Sequence, residues 1–162
     1  MTNELVTIFI GATPIAEIRG ALPVALGVFG FSPLKAYTLS VIGNVLPIIP
    51  VFFFFRFISR TLMNTSKTIN RLFTKIFNQT RKKYQPKFEF DHHRVKIRPW
   101  LEALTLFLFV AIPLPFTGVW TGALVAFVFG VPIRRAFLAM FAGILLAGAV
   151  VLGISLGVIS FF

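Results

Sequence analysis

Between Leu5 and Leu34 the chain carries two charges, Glu17 and Arg19, in an otherwise uncharged and largely apolar segment. A charged side chain at membrane depth costs a few kcal/mol or more, so it normally has a partner or a task. Residues two apart do not face each other on a regular helix, but in a broken turn they can. Three roles are open. Glu17 could take and release a proton, because removal from water favours a neutral carboxyl. Arg19 could hold an anion, helped by helix N-termini at the break. Or the two could pair and brace the fold. The matching stretch further along is Pro113-Leu-Pro115-Phe-Thr117-Gly118-Val-Trp120-Thr121-Gly122. It holds no charge. Thr117, Trp120 and Thr121 offer hydroxyls and an indole N–H, and Gly118 and Gly122 allow close backbone approach. Contact with a substrate and simple packing in the core both fit this stretch.

Other polar residues carry less. Asn44 lies in an apolar helical run, where helix-to-helix hydrogen bonding is the expected role. Ala139, Gly143 and Ala147, with Gly153-x-x-x-Gly157, form small-residue stripes suited to close helix packing or to a dimer interface. Asp91-His92-His93 has metal-ligand types, but the sequence has no cysteine and no further histidine, so no metal is expected. Phosphate-binding loops of the Walker type are absent, and the carboxylates are too few and scattered for a hydrolase site. The expectation is a protein that is not an enzyme and needs no cofactor.

The elements that must position these residues follow from composition. The chain is 57% hydrophobic, above the usual 45–50% or so of soluble domains. Uncharged runs cover Ala36–Phe55, Ala103–Ile133 and Ala136–Phe162, each long enough for the 20 or so apolar residues that cross a bilayer as a helix. The opening Met1-Thr-Asn-Glu-Leu-Val lacks a basic region, so no cleavable signal peptide is expected. Twelve of the sixteen basic residues fall between Arg56 and Arg98. That clustering excludes a nucleic-acid reading of the +11 net charge and marks a cytoplasmic segment against anionic lipid.

The two apolar halves resemble each other. Ala12-Thr-Pro14, Gly30, Lys35-Ala36 and Gly43 match Ala111-Ile-Pro113, Gly130, Arg135-Ala136 and Gly143, at an offset of 99 and then 100 residues. Residues 4–31 and 100–130 are each too long for one span, too short for two, and interrupted near the middle by proline and glycine. Two helices of about 12 residues reach only about 18 Å each, which fits a re-entrant hairpin. Each half then ends in a span, 34–56 and 135–160. The spacing therefore predicts an all-α integral membrane protein. Repeat 1 (residues 1–56) and repeat 2 (residues 99–162) are inverted with respect to each other, each a re-entrant hairpin followed by a transmembrane helix. Residues 57–98 join them as a basic linker. In it, residues 59–83 read as an amphipathic helix on the membrane surface, with Lys67, Arg71 and Lys75 on one face. Inverted repeats whose broken helices meet at mid-membrane are a transporter pattern. Six full crossings are the alternative topology.

Glu17-Ile-Arg19-Gly20-Ala21-Leu22-Pro23 resembles the Glu-x-Arg-Gly-Ala-x-Pro motif of the small multidrug export proteins of prokaryotes. The stretch Pro113 to Gly122 resembles that family's second motif, Pro-x-Pro-x-Thr-Gly-x-(Trp/Tyr)-Thr-Gly. The resemblance covers nearly the whole chain apart from the basic linker. It implies export. Through a distant relationship to the DedA-type (VTT-domain) proteins it also implies lipid translocation. The residues it carries over are Glu17, Arg19, Gly20 and Pro23, then Pro113, Pro115, Thr117, Gly118, Trp120, Thr121 and Gly122.

The expected function is a small transporter of the cell membrane, proton-coupled or passive. It would export small amphipathic molecules or translocate a phosphate-bearing lipid through a site between the hairpins. The expected partners are membrane lipids, the substrate and a second copy of the chain in a homodimer. A scaffold or assembly protein that transports nothing is the alternative.

Overall fold

The computed structural model describes residues 2–65, 75, 99–112 and 117–161, and these are all helix or connecting turn. Among them lie seven helices: α1 Asn3–Ala12, α2 Glu17–Gly27, α3 Pro33–Val45, α4 Ile48–Thr65, α5 Pro99–Ala111, α6 Val119–Val128 and α7 Ile133–Phe161. Two stretches are long and apolar enough to cross a bilayer, Pro33–Phe55 and Ile133–Val158. Lys75 is helical and exposed, while Lys67, Arg71 and most of the expected surface helix lie outside the described residues, as do Asp91, His92 and His93.

The helix ends follow from local chemistry. Gly30 and Gly130 take φ of 63° and 71°, the left-handed conformation that stops a helix. Just past them, the Phe31 N–H reaches back to the Ala25 carbonyl at 3.0 Å, and the Val131 N–H to the Ala126 carbonyl at 2.8 Å. A proline then opens the following helix, Pro33 inside the start of α3 and Pro132 just before α7, with φ preset for the first turn.

Two elements differ from the sequence expectation. The span expected over 34–56 is interrupted between Val45 and Ile48. Pro47 and Pro50 have no N–H to give to the helical ladder. Leu46 still donates to the Ile42 carbonyl at 3.1 Å and Val51 to that of Pro47 at 3.0 Å, so the helix resumes within a turn. The break expected across Pro14 to Pro23 is shorter than that. Residues 13–16 form it, and α2 carries Arg19, Gly20 and an exposed Pro23 within its length.

The halves repeat the same contacts. α1 packs on α3, and α5 packs on α7. A Cβ on Gly43 would overlap the Ile8 carbonyl, and one on Gly143 would stand 2.9 Å from the Phe107 carbonyl. Ile8 and Phe107 are 99 residues apart, Gly43 and Gly143 are 100 apart, and these are the offsets of the sequence repeat. Lys35 pairs with Glu4 at 2.7 Å, and Arg135 pairs with Glu102 at 3.5 Å, so in each half a base at the head of the span meets an acid at the head of the hairpin. Across the halves, α2 packs on α7 and α6 on α4. Tyr37 crosses from α3 to donate to the Leu145 carbonyl at 2.8 Å, over Gly148.

Gly43→Ala is expected to lower the Tm of the detergent-purified protein. The gain in helix propensity, up to about 1 kcal/mol, is outweighed by overpacking of about 1–3 kcal/mol against a backbone atom. Gly143→Ala should cost less, because part of what it meets is the Val110 side chain. Equal losses would show that the two seams are not packed as described.

Ile18, Leu22, Leu106, Val119, Val125, Met140 and Ile144 are fully buried and form the core. Phe9, Phe53, Phe54, Leu138 and Ile154 are exposed. Large apolar side chains left in water on this scale are unfavourable, whereas acyl chains accommodate them.

Candidate functional site

The Thr13–Ala16 turn and the start of α2 meet Thr117, Gly118 and the start of α6, and side chains tie the two sides together. Glu17 opens α2 with φ of 48°, which no other non-glycine residue among those described shares in sign. A side chain held there costs about 1–2 kcal/mol, and such outliers gather where function over-determines the backbone. The turn before it is self-tied. The Glu17 N–H donates to the Thr13 carbonyl at 3.2 Å. The Thr13 hydroxyl donates to the Ile10 carbonyl at 2.7 Å and accepts the Ala16 N–H at 3.4 Å.

The strained backbone delivers the Glu17 carboxylate to the start of α6. There it accepts the N–H groups of Val119 and Trp120, the first two residues of that helix. These are orphan donors of a helix N-terminus, and the positive end of the helix dipole favours a carboxylate there. Gly118 makes the approach possible, since a Cβ on it would overlap the carboxylate. Its φ of 138° with ψ of −166° belongs to a region that only glycine adopts readily.

Arg19 completes the junction. Its Nη2 lies 3.7 Å from Glu17 Oε2 and donates to the Thr117 carbonyl at 2.5 Å and hydroxyl at 3.1 Å. The Thr117 hydroxyl in turn donates to the Ile112 carbonyl at 2.9 Å. In the opposite direction, Trp120 Nε1 donates to the carbonyl of Ala12, the last residue of α1, at 3.3 Å. One hairpin's carboxylate therefore caps a helix of the other, whose indole caps the first. The Arg19 side chain is 26% exposed against 8% for Glu17, so the guanidinium is the more reachable charge.

Of the residues singled out from sequence, the structure brings Glu17, Arg19, Thr117, Gly118 and Trp120 together. Thr121 follows on α6, partly buried. Gly20 faces its own hairpin, at Ala16 and Ile10, and Gly122 packs against Val110 and Met140, so both serve close packing. Pro23 turns outward, and Pro113 and Pro115 lie outside the described residues. Sequence reasoning missed the backbone partners, the Ala12 carbonyl and the α6 amides, because every residue carries such groups and no side-chain pattern marks them.

A family model described as "Putative small multi-drug export protein" matches residues 17–150. The chain belongs to this family. The match begins at Glu17 and takes in both sides of the junction and most of α7. With the two apolar spans, family membership makes this a small membrane protein of the multidrug export type. Among curated proteins and solved structures, none matches it.

Proposed function

We propose that the chain exports or translocates an anionic amphipathic molecule, one carrying a phosphate or a carboxylate, between the two hairpin tips. The observation that carries this reading is the Glu17 carboxylate lodged at the α6 N-terminus beside Arg19. Helix amides, a dipole and a guanidinium already hold one anion there, and a substrate anion needs the same partners. Glu17 and the substrate compete for them. Protonation of Glu17 removes its charge, weakens its hold on α6 and opens the place to the substrate, which couples proton uptake to anion entry. The protein acts as a transporter and makes or breaks no covalent bond.

The topology that suits this function is an inverted repeat. α1 has 10 residues and α5 has 13, about 15 and 20 Å of helix, short of a 30 Å or so hydrocarbon core. This favours hairpins that enter and return, one from each face, in a multi-pass protein of the cell membrane with its basic linker in the cytoplasm. The repeated contacts of the two halves support the same arrangement.

Native mass spectrometry of the gently purified protein tests the site, with phosphatidic acid supplied against phosphatidylcholine. Wild type is expected to retain phosphatidic acid selectively, and Arg19→Gln to lose that selectivity while keeping its Tm within a few degrees. If both forms carry the same lipid mixture, the junction is a brace and the anion reading falls.

A further inference from the structure

Side chains from α2 and α3 meet α7 at Gly148. A Cβ on Gly148 would stand 2.8 Å from Ile18 Cδ1 and 2.8 Å from Tyr37 Cε2. Two side chains of the first half therefore share the place that a side chain at this position of the second half would take. The Tyr37 hydroxyl ties its ring there by donating to the Leu145 carbonyl at 2.8 Å, three residues back along α7. Glycine weakens a helix relative to alanine, so its presence inside α7 asks for a reason in packing or function.

The repeat supplies a control. One hundred residues earlier the first span holds Ile48, fully buried, at the head of α4, on which α6 packs. Tyr37 corresponds to Phe137, which has no hydroxyl and stacks on Phe141 at 6.1 Å. A span of this kind thus accommodates a large side chain at the place of Gly148 and a plain ring at the place of Tyr37. The glycine and the hydroxyl occur together in one half, and there they admit Ile18.

Ile18 stands between Glu17 and Arg19 and is 1% exposed. The Glu17 φ of 48° takes the backbone out of helical geometry there, so the tip is held by its contacts. One set is the α6 amides and Thr117, which hold the two charges. The other is the seat of Ile18 on α7. A methyl at position 148 pushes Ile18, and its chain neighbours Glu17 and Arg19 move with it. Hydrogen bonds weaken steeply once their geometry is lost, and those to charged groups have the most to lose.

We propose that Gly148 is a positioning residue. Through Ile18, the second span sets where Glu17 and Arg19 stand in the junction, and so how well the junction holds an anion. The anion part rests on the function proposed above; the positioning part does not.

The test uses the full chain in detergent with Trp100→Phe, an exposed site on α5, which leaves Trp120 as the single tryptophan. Three quantities are read: Trp120 emission, selectivity for phosphatidic acid over phosphatidylcholine, and Tm. Gly148→Ala is expected to shift the emission, lower selectivity about tenfold, the worth of one charge-assisted contact, and lower Tm. Ile18→Val removes Cδ1, so in the Gly148→Ala background one methyl has moved from Ile18 to position 148 and volume is conserved. This double variant should regain the wild-type emission and selectivity. Its Tm should stay below wild type, because the new methyl still meets the Tyr37 ring. Unchanged emission in Gly148→Ala overturns the proposal, as does emission that follows Tm through all the variants instead of recovering in the double one. Emission needs no ligand, so a wild type without phosphatidic acid selectivity ends the anion reading while emission still decides the role of Gly148.

Discussion

Replacing Gly118 with alanine is expected to be the most destabilising single-methyl change in the chain, at about 3 kcal/mol or more. Two costs add. A φ of 138° with ψ near 180° places an L side chain in a region worth about 1–3 kcal/mol of strain. The new Cβ also falls on the Glu17 carboxylate, which must then leave the α6 amides. At about 2–4 °C per kcal/mol for a chain of this size, thermal unfolding should show a loss of about 6–12 °C. The pair Gly118→Ala with Glu17→Ala separates the contributions. The backbone strain remains in both backgrounds, while the collision exists only with Glu17 present. The glycine substitution should therefore cost about 1–2 kcal/mol less in the Glu17→Ala protein, a coupling of the size expected for residues in contact. Additive losses would mean that Glu17 and Gly118 do not meet.

Glu17→Gln should have the largest effect on function. Glutamine keeps the shape and an acceptor oxygen, so the cap on α6 survives in weakened form. It loses the charge, and a hydrogen bond to a charged group is worth about 1.5–3 kcal/mol against about 1 for a neutral one. Arg19 loses its carboxylate but keeps the Thr117 carbonyl and hydroxyl. The expected cost in stability is about 1–2 kcal/mol, with the fold retained. In proteoliposomes carrying an anionic amphipathic dye, wild-type flux should vary with an imposed pH gradient, and flux through Glu17→Gln should not. Unchanged pH dependence at normal expression would take Glu17 out of the coupling and leave it as a cap. Glu17→Asp serves as the comparison. It retains the charge on a side chain one methylene shorter, so it should keep pH sensitivity with a reduced rate.

Glu17 and Arg19 were legible in the sequence because two charges inside an apolar segment have few innocent explanations. Their spacing does not fix whether they meet, since residues two apart face each other only where a helix is broken. What each one touches did not follow. The partners of Glu17 are backbone amides, and the partner of the Trp120 indole is a backbone carbonyl. The sequence repeat was legible from its glycines, and the Ile8–Gly43 and Phe107–Gly143 contacts reproduce its two offsets. Motif position alone puts Gly122 in the site. Once α6 starts at Val119, helical geometry turns Gly122 toward Val110 and Met140. The interruption at Pro47 was overlooked because the run from Ala36 to Phe55 is uniformly uncharged, and hydropathy does not register a missing N–H.

The reciprocal capping of the hairpins bears on how the chain is made. Ribosomes deliver the first hairpin well before Trp120 exists. Until then the Ala12 carbonyl has no indole to accept from, and Glu17 has no helix end to occupy. Without the second half, the partners that hold Glu17 in its positive-φ conformation are missing. A chain terminated in the basic linker should be cleared by quality-control proteases, while the same fragment co-expressed with residues 99–162 should persist. Persistence of the pair together with loss of the lone fragment would show that the halves mature together.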